Sequence, residues 1–130
     1  MIPRLVILLF AACLLSCGQQ QANAQSKLAP QDFEKHLKTT AEVQLVDVRT
    51  PAEYADGHLA GARNIDYYDD HFTSLIGQLD KDKPVMVYCA KGGRSASAAE
   101  KFHNAGFKDV LDLDGGIISW KEAGMPVVKD

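Results

Sequence analysis

One segment governs how this chain folds: Val85-Met86-Val87-Tyr88-Cys89-Ala90-Lys91-Gly92-Gly93-Arg94-Ser95. In it, an unbroken apolar run ends in a cysteine, and a glycine-rich loop with two cations follows. A short apolar run of this kind is typical of a strand buried on both faces of a parallel sheet. The residues from Ser95 to Ala105 then follow a helical pattern. The segment therefore predicts a buried strand, a tight loop and a helix, with Cys89 at the end of the strand.

The loop after Cys89 has the features of a site for an anionic sulfur. Open α/β sheets bind their ligands at the carboxyl ends of the strands, where Cys89 is predicted to lie. Gly92 and Gly93 allow the backbone to turn and to direct several N–H groups at one point. The start of the next helix adds its positive dipole end, and Lys91 and Arg94 add full charges. These groups favour a thiolate over a thiol, whereas the alternative interpretation is a buried structural cysteine before an ordinary turn.

The composition is that of one ordinary globular domain. The 130 residues are 46% hydrophobic and 24% charged, and this length suffices for a single hydrophobic core. The net charge of −3 comes without a basic stripe along the chain, so nucleic acid is not expected as a partner.

Residues 1–16 are predicted to be a signal peptide. The cationic start Met1-Ile2-Pro3-Arg4 precedes an apolar run from Leu5 to Leu15. A membrane-spanning helix needs about 20 apolar residues, so this shorter run has the length of a signal-peptide core. The segment Leu14-Leu15-Ser16-Cys17 resembles the lipobox of bacterial lipoproteins, in which cleavage precedes the cysteine and lipid is attached to it. We therefore expect lipidation at Cys17.

The domain organisation follows from that expectation. Residues 17–27 are predicted to form a lipid-anchored flexible tether, and residues 28–130 the globular domain. The competing expectation is secretory cleavage after Ala24, which would leave a soluble periplasmic domain. Both routes place the domain on the periplasmic side of a bacterial cell envelope. Gly18 after Cys17 favours the outer membrane by the usual sorting pattern of bacterial lipoproteins.

Cysteine usage narrows the chemistry further. Cys13 lies in the predicted signal peptide and Cys17 is the predicted lipid site, so Cys89 is the one thiol left in the predicted domain. A lone thiol is unusual in an oxidising compartment, which favours paired cysteines or none. The absence of a CxxC motif disfavours thioredoxin-like oxidoreduction. The scattered histidines lack the spacing of zinc ligands, so no metal site is predicted.

Strands and helices alternate along the domain. This alternation predicts a parallel sheet covered by helices in one α/β domain. Thr50 and Glu53 are predicted to form a capping box at the start of a short helix, and Ser97 with Glu100 offers a second one if the first residues of the later helix are irregular. Trp120 is predicted to lie in the core or in a lid. The predicted strands are 43–48, 62–65, 85–89 and 107–113, and the predicted helices are 30–37, 51–56, 72–79, 95–105 and 117–123.

Three separated segments closely resemble the rhodanese family. They are Asp47-Val48-Arg49-Thr50-Pro51-Ala52-Glu53-Tyr54, Gly57-His58-Leu59-Ala60-Gly61-Ala62 and Cys89-Ala90-Lys91-Gly92-Gly93-Arg94-Ser95. The ending Asp114-Gly115-Gly116 with Trp120 is similar to that family as well. The resemblance covers roughly Leu28 to Pro126. It implies a five-stranded parallel sheet with helices on both faces.

The resemblance also implies an activity. Members move a sulfane sulfur from a donor such as thiosulfate to a thiol or cyanide acceptor, through a persulfide on the cysteine that matches Cys89. Some small members pass sulfur to another protein, so a protein acceptor is a further expected partner. No cofactor is expected. Arg49 is expected to add charge near the pocket, whereas Glu53, His58 and Gly61 are expected to be structural. The expected substrate-binding residues are Ala90, Lys91, Gly92, Gly93, Arg94, Ser95 and Arg49.

Two other functions remain open at this point. Phosphatases and arsenate reductases of the same fold are similar but carry one more residue between the cysteine and the arginine. The six-residue loop from Cys89 to Arg94 suits a single sulfur atom better, and Tyr88 stands where those phosphatases have a histidine. Sulfur transfer is therefore preferred. The third hypothesis is a non-catalytic binding module that recruits a partner at the membrane.

Overall fold

The computed structural model describes residues 26–130. The predicted signal peptide, the lipid site at Cys17 and most of the predicted tether lie outside these residues. Within 26–130, no helix combines the length and the apolar character that a membrane crossing requires. The strands are β1 (Ser26–Leu28), β2 (Gln44–Asp47), β3 (Arg63–Asn64), β4 (Val85–Tyr88) and β5 (Val110–Leu113). The helices are α1 (Pro30–Thr39), α2 (Pro51–Ala55), α3 (Phe72–Ile76), α4 (Gly93–Asn104) and α5 (Gly116–Glu122).

The five strands form one parallel sheet in the order β1-β5-β4-β2-β3. All four residues of the central strand β4 are buried, as its unbroken apolar run predicts. Phe72 of α3 and Phe102 of α4 pack on one face of the sheet. Phe33 of α1 and Trp120 of α5 pack on the other face, where their rings meet edge to face. The predicted five-stranded parallel sheet with helices on both faces is therefore confirmed.

The edge strand β1 is not predicted from the sequence, and it begins inside the predicted tether. Ser26 and Lys27, which the sequence analysis assigns to the tether, pair with Leu111 and Asp112 of β5. The pairing uses backbone groups, and both side chains are exposed. An edge strand of this kind carries no apolar pattern that could reveal it. The domain in the structure thus includes two residues of the predicted tether.

All five helices differ from the predictions by one to three residues at one end or both, and two of these ends matter most. The helix α3 ends at Ile76, and a turn continues the chain to Leu79. The helix α4 begins at Gly93, so Ser97 lies inside it and does not form the second predicted capping box. The first capping box is present at α2, where the Thr50 hydroxyl accepts the Glu53 N–H at 3.3 Å and the Glu53 carboxylate accepts the Thr50 N–H at 3.3 Å.

Candidate active site

Cys89 follows β4 directly and is only 1% exposed. Its carbonyl oxygen accepts the Ile117 N–H at 2.9 Å, and the next carbonyl, of Ala90, accepts the Ile118 N–H at 3.2 Å. The first turn of α5 thereby holds the beginning of the loop. Gly116 permits this close approach, because a Cβ there would lie 2.6 Å from the Cys89 carbonyl oxygen and its φ is +63°. The segment Asp114-Gly115-Gly116 and the start of α5 therefore hold the backbone of Cys89 in place.

The Gly92 amide contacts the sulfur. Its N–H donates to Cys89 Sγ at 3.0 Å. Gly92 has a φ of +118°, a left-handed conformation that side chains rarely adopt, and it is the N-cap of the 12-residue helix α4. The sulfur therefore receives a backbone hydrogen bond next to the positive end of a helix. Both features favour a negative charge on Sγ.

An open pocket of about 530 Å³ gives access to this cysteine. Three residues that were not predicted to belong to the site also line the pocket: Tyr67, Tyr68 and Ser97. The two tyrosines belong to the connection after β3, and the carboxyl end of β3 lies at the same sheet edge as that of β4. Because ligands bind at the carboxyl ends of parallel strands, the position of the two tyrosines after β3 could have indicated that they belong to the site. The complete lining is Tyr67, Tyr68, Cys89, Ala90, Lys91, Gly93, Arg94 and Ser97.

Arg94 is held by an ion pair rather than left free for a ligand. Its guanidinium donates to the two carboxylate oxygens of Glu53 at 2.7 and 2.9 Å. It also lies over the Tyr68 ring, 5.8 Å from the ring centre. The hydrogen bond from Arg94 lowers the pKa of Glu53 to about 2, against the opposing effect of burial. Among the cations that line the pocket, Lys91 is the one without an ion-pair partner in the described residues.

Replacing Glu53 with glutamine tests this clamp. We expect Glu53→Gln to lower the free energy of unfolding at pH 7 by about 1 kcal/mol, a value reduced for partial solvent exposure of the pair. Because the pKa of Glu53 is depressed, its contribution is fully present above the unfolded-state value near 4.5 and is lost as the pH falls towards 2. Urea unfolding at pH 7 and pH 2 checks this. A difference between variant and wild type that stays equal at both pH values would contradict it.

Arg49 does not lie in the pocket. Its guanidinium binds the buried Asp47 carboxylate, with Nε at 3.0 Å and the nearer terminal nitrogen at 2.7 Å, and also donates to the Gly57 carbonyl oxygen at 2.7 Å. The residue is 5% exposed and is absent from the lining of the pocket. The expectation that Arg49 adds charge at the pocket is therefore corrected. Its charge is matched by Asp47, and it ties the end of β2 to the loop after α2.

The other motif residues also lie in the scaffold. His58 is buried, its Nδ1 lies 2.8 Å from the Tyr54 carbonyl oxygen, and its ring stacks on that of Tyr54 with 3.7 Å between the ring centres. The Tyr88 hydroxyl accepts the Leu59 N–H at 3.0 Å. The last of these contacts joins the loop after α2 to the central strand β4. The side chain of Ser95, an expected substrate-binding residue, is fully buried behind the loop and outside the pocket lining.

Comparison with known proteins agrees with this geometry. The model of the rhodanese-like domain matches residues 29–123. A sulfurtransferase from Allochromatium vinosum is 35% identical over 104 residues, which are 79% of this chain and 94% of that protein. The thiosulfate sulfurtransferase GlpE of Pseudomonas paraeruginosa is 39% identical over 95 residues, 73% of this chain and 83% of that protein.

A solved structure extends the agreement to three dimensions. The crystal structure of a rhodanese-related protein from Thermoplasma volcanium superimposes with a TM-score of 0.71 at 33% sequence identity, and the match covers 81% of this chain and 99% of the other. The relatives support sulfurtransferase activity in general terms. Because the family model spans the helices, the strands β2 to β5 and the cysteine loop, the chain belongs to the rhodanese-like domain family.

Proposed function

We propose that this protein is a sulfurtransferase that carries a sulfane sulfur as a persulfide on Cys89. The observation that carries the proposal is the hydrogen bond of 3.0 Å from the Gly92 N–H to Cys89 Sγ, in an open pocket at the start of α4. Cys89 lines this pocket although it is almost fully buried, and its sulfur is stabilised there as an anion. The names of the relatives support the same activity.

The reaction proceeds in two half-reactions. The Cys89 thiolate attacks the outer sulfur of a donor such as thiosulfate, a new S–S bond forms, and sulfite leaves with the electron pair of the broken S–S bond. A thiol or cyanide then attacks the outer sulfur of the persulfide, and the Cys89 thiolate leaves. This is covalent catalysis with ping-pong kinetics. The Gly92 amide and the start of α4 stabilise the negative sulfur before and after each transfer.

The pocket residues have separate roles in this proposal. Lys91 attracts an anionic donor such as thiosulfate. Arg94, fixed by Glu53, forms part of the wall together with Tyr68. The volume of about 530 Å³ leaves room for an acceptor larger than cyanide, such as a small thiol or a thiol carried by another protein.

Loading with sulfur tests the proposal directly. The purified protein is incubated with thiosulfate and analysed by mass spectrometry, and we expect the peptide that contains Cys89 to gain the mass of one sulfur atom. Cyanide should then remove that sulfur as thiocyanate. No gain from any sulfane donor would refute the proposal. Hydrolysis of an aryl phosphate that depends on Cys89 would favour the phosphatase hypothesis instead.

We also propose that the protein is a lipoprotein of the bacterial cell envelope, anchored through Cys17 with the domain on the periplasmic side. The apolar run that ends just before Cys17 supports this. The intact mass of the protein from a bacterial host is expected to equal that of a chain without residues 1–16 plus the attached lipid. Cys17→Ser is the matched control and should lose the lipid. A mature chain that begins at Gln25 without lipid would establish cleavage after Ala24.

A further inference from the structure

Asp112 is a buried carboxyl group that the proposed reaction does not use. It lies in β5 and is 1% exposed, and neither carboxylate oxygen has a hydrogen-bond partner among the described residues. In the sheet it pairs with Val87 of β4 and Lys27 of β1. Side chains alternate along a strand, so Asp112 shares the face of Val110, which packs in the same cluster as α4. An isolated carboxylate in such a place is destabilising, and its presence requires an explanation.

The surroundings of this carboxyl come from three elements. Ser95 in the first turn of α4, Lys27 in β1, the Leu113 amide in β5 and Asp114 just after β5 are the groups that act on it. Burial raises the pKa of Asp112 to about 6, Ser95 and Lys27 lower it, and Asp114 raises it. The neighbour on β4, Val87, carries no charge. This pKa of about 6 lies well above the ordinary value of 3.8 for an aspartate.

A short chain of contacts leads from this carboxyl to the sulfur. Ser95 is fully buried and lies against Asp112, yet its hydroxyl donates to the Gly92 carbonyl oxygen at 3.3 Å. The N–H of the same Gly92 donates to Cys89 Sγ at 3.0 Å. The Gly92 carbonyl oxygen also accepts the Ala96 N–H at 3.1 Å. The Ser95 hydroxyl can therefore turn away without leaving that oxygen unsatisfied.

We propose that Asp112 is a positioning residue of the sulfur site, which couples the reactivity of Cys89 to the proton on its own carboxyl through Ser95 and Gly92. This inference rests on the proposed function only for its biological meaning, because it concerns the thiol itself. In the neutral state the Ser95 hydroxyl stays on the Gly92 carbonyl oxygen, as in the structure, where no hydrogen bond joins it to Asp112. In the ionised state the carboxylate accepts the Ser95 hydroxyl.

The charge on Asp112 also bears on the sulfur, independently of this rearrangement. An ionised Asp112 and an anionic Cys89 sulfur compete for the positive end of α4, and each disfavours the other. Neutral Asp112 therefore favours the anionic sulfur, and an anionic sulfur favours the proton on Asp112. By this proposal the site holds a sulfur anion best when the Asp112 carboxyl is protonated.

The first test measures thiol reactivity in the full chain. The rate of alkylation of Cys89 by iodoacetamide is followed from pH 5 to 9 by peptide mapping, which needs no sulfur donor and stays informative if sulfur loading fails. We expect Asp112→Asn to raise the rate at pH 7 by about threefold or more and to shift the pH midpoint of alkylation downward. Asp109→Asn, an exposed carboxyl just before β5, is the matched control and should leave the profile unchanged. An Asp112→Asn profile equal to that of the wild type would overturn the proposal.

The second test examines the route through Ser95. In a Ser95→Ala background, the effect of Asp112→Asn is expected to be smaller than in the wild type, because the connecting hydroxyl is gone. Equal effects in both backgrounds would overturn the proposed route.

If Asp112→Asn does not fold, the wild-type carboxyl is observed by carbon-13 NMR in two adducts of Cys89. The titration of Asp112 should lie at higher pH with the anionic carboxymethyl adduct than with the neutral carbamidomethyl adduct, and identical titrations would overturn the coupling.

Discussion

Replacing Cys89 with serine is expected to abolish sulfur uptake from thiosulfate and to lower the rate of thiocyanate formation by at least about 10³-fold. Serine keeps nearly the same volume, and its oxygen can accept the Gly92 N–H that now points at Sγ. Its hydroxyl stays neutral at neutral pH, however, and it cannot hold a second sulfur as a persulfide. The colorimetric assay of thiocyanate measures the loss, and mass spectrometry shows whether any sulfur is bound.

The control for this prediction is the fold of the variant. Cys89→Ser should keep a cooperative thermal unfolding transition, so that the loss of activity reports chemistry. Cys17→Ser should retain full sulfur transfer, because Cys17 belongs to the predicted anchor. Turnover by Cys89→Ser close to that of the wild type would contradict a persulfide intermediate. Unimpaired cellular function of Cys89→Ala would instead favour the non-catalytic binding module.

Local signals explain what could be predicted from the sequence. The run from Val85 to Tyr88 is apolar at every position because both faces of a central parallel strand are covered. The capping box of Thr50 and Glu53 joins residues three positions apart, so the pattern contains both partners. The turn at Gly92 could also be predicted locally, because a left-handed position before a helix favours glycine. In each case the information lies within a few residues.

Contacts between distant segments account for what could not be predicted. Glu53 and Arg94 are 41 positions apart, and each belongs to a recognisable motif, but no pattern within either motif shows that they bind each other. That pair changes the interpretation of the site, because Lys91 is then the one cation in the pocket lining that forms no ion pair within residues 26–130. Tyr68 is a second example, because it lines the pocket only through the packing of the connection after β3.

Asp112 illustrates a different limit of sequence patterns. In the segment from Val110 to Asp114, apolar and acidic residues alternate after the first two positions, a pattern that suggests a strand with one solvated face. This sheet has helices on both faces, so Asp112 is buried against α4. The burial of a polar position therefore depends on the number of covering layers, which the strand alone does not specify. The strand β1 could not be predicted for another reason, because its pairing involves only backbone groups.

Arg49→Ala is expected to lower the free energy of unfolding by about 3–5 kcal/mol, which is the range found when one partner of a buried ion pair is removed. The Asp47 carboxylate, fully buried, would lose two side-chain hydrogen-bond donors at once. The Gly57 carbonyl oxygen would lose the donor at 2.7 Å that ties its loop to β2. Equilibrium unfolding in urea measures the loss. Arg49→Lys should recover only part of it, because an ammonium cannot bind the carboxylate in two places.

Kinetic measurements distinguish this structural role of Arg49 from the role at the substrate site that its charge suggested. At a temperature where Arg49→Ala is folded, we expect its KM for thiosulfate to stay within about twofold of the wild-type value, because the guanidinium lies outside the pocket. The double variant Asp47→Asn with Arg49→Met removes both charges, and it should be more stable than Arg49→Ala because no unpaired carboxylate remains buried. A large rise in KM with unchanged stability would return Arg49 to the substrate site. The expected pattern, lost stability with an unchanged KM, would establish that this arginine acts on the framework that carries the Cys89 loop.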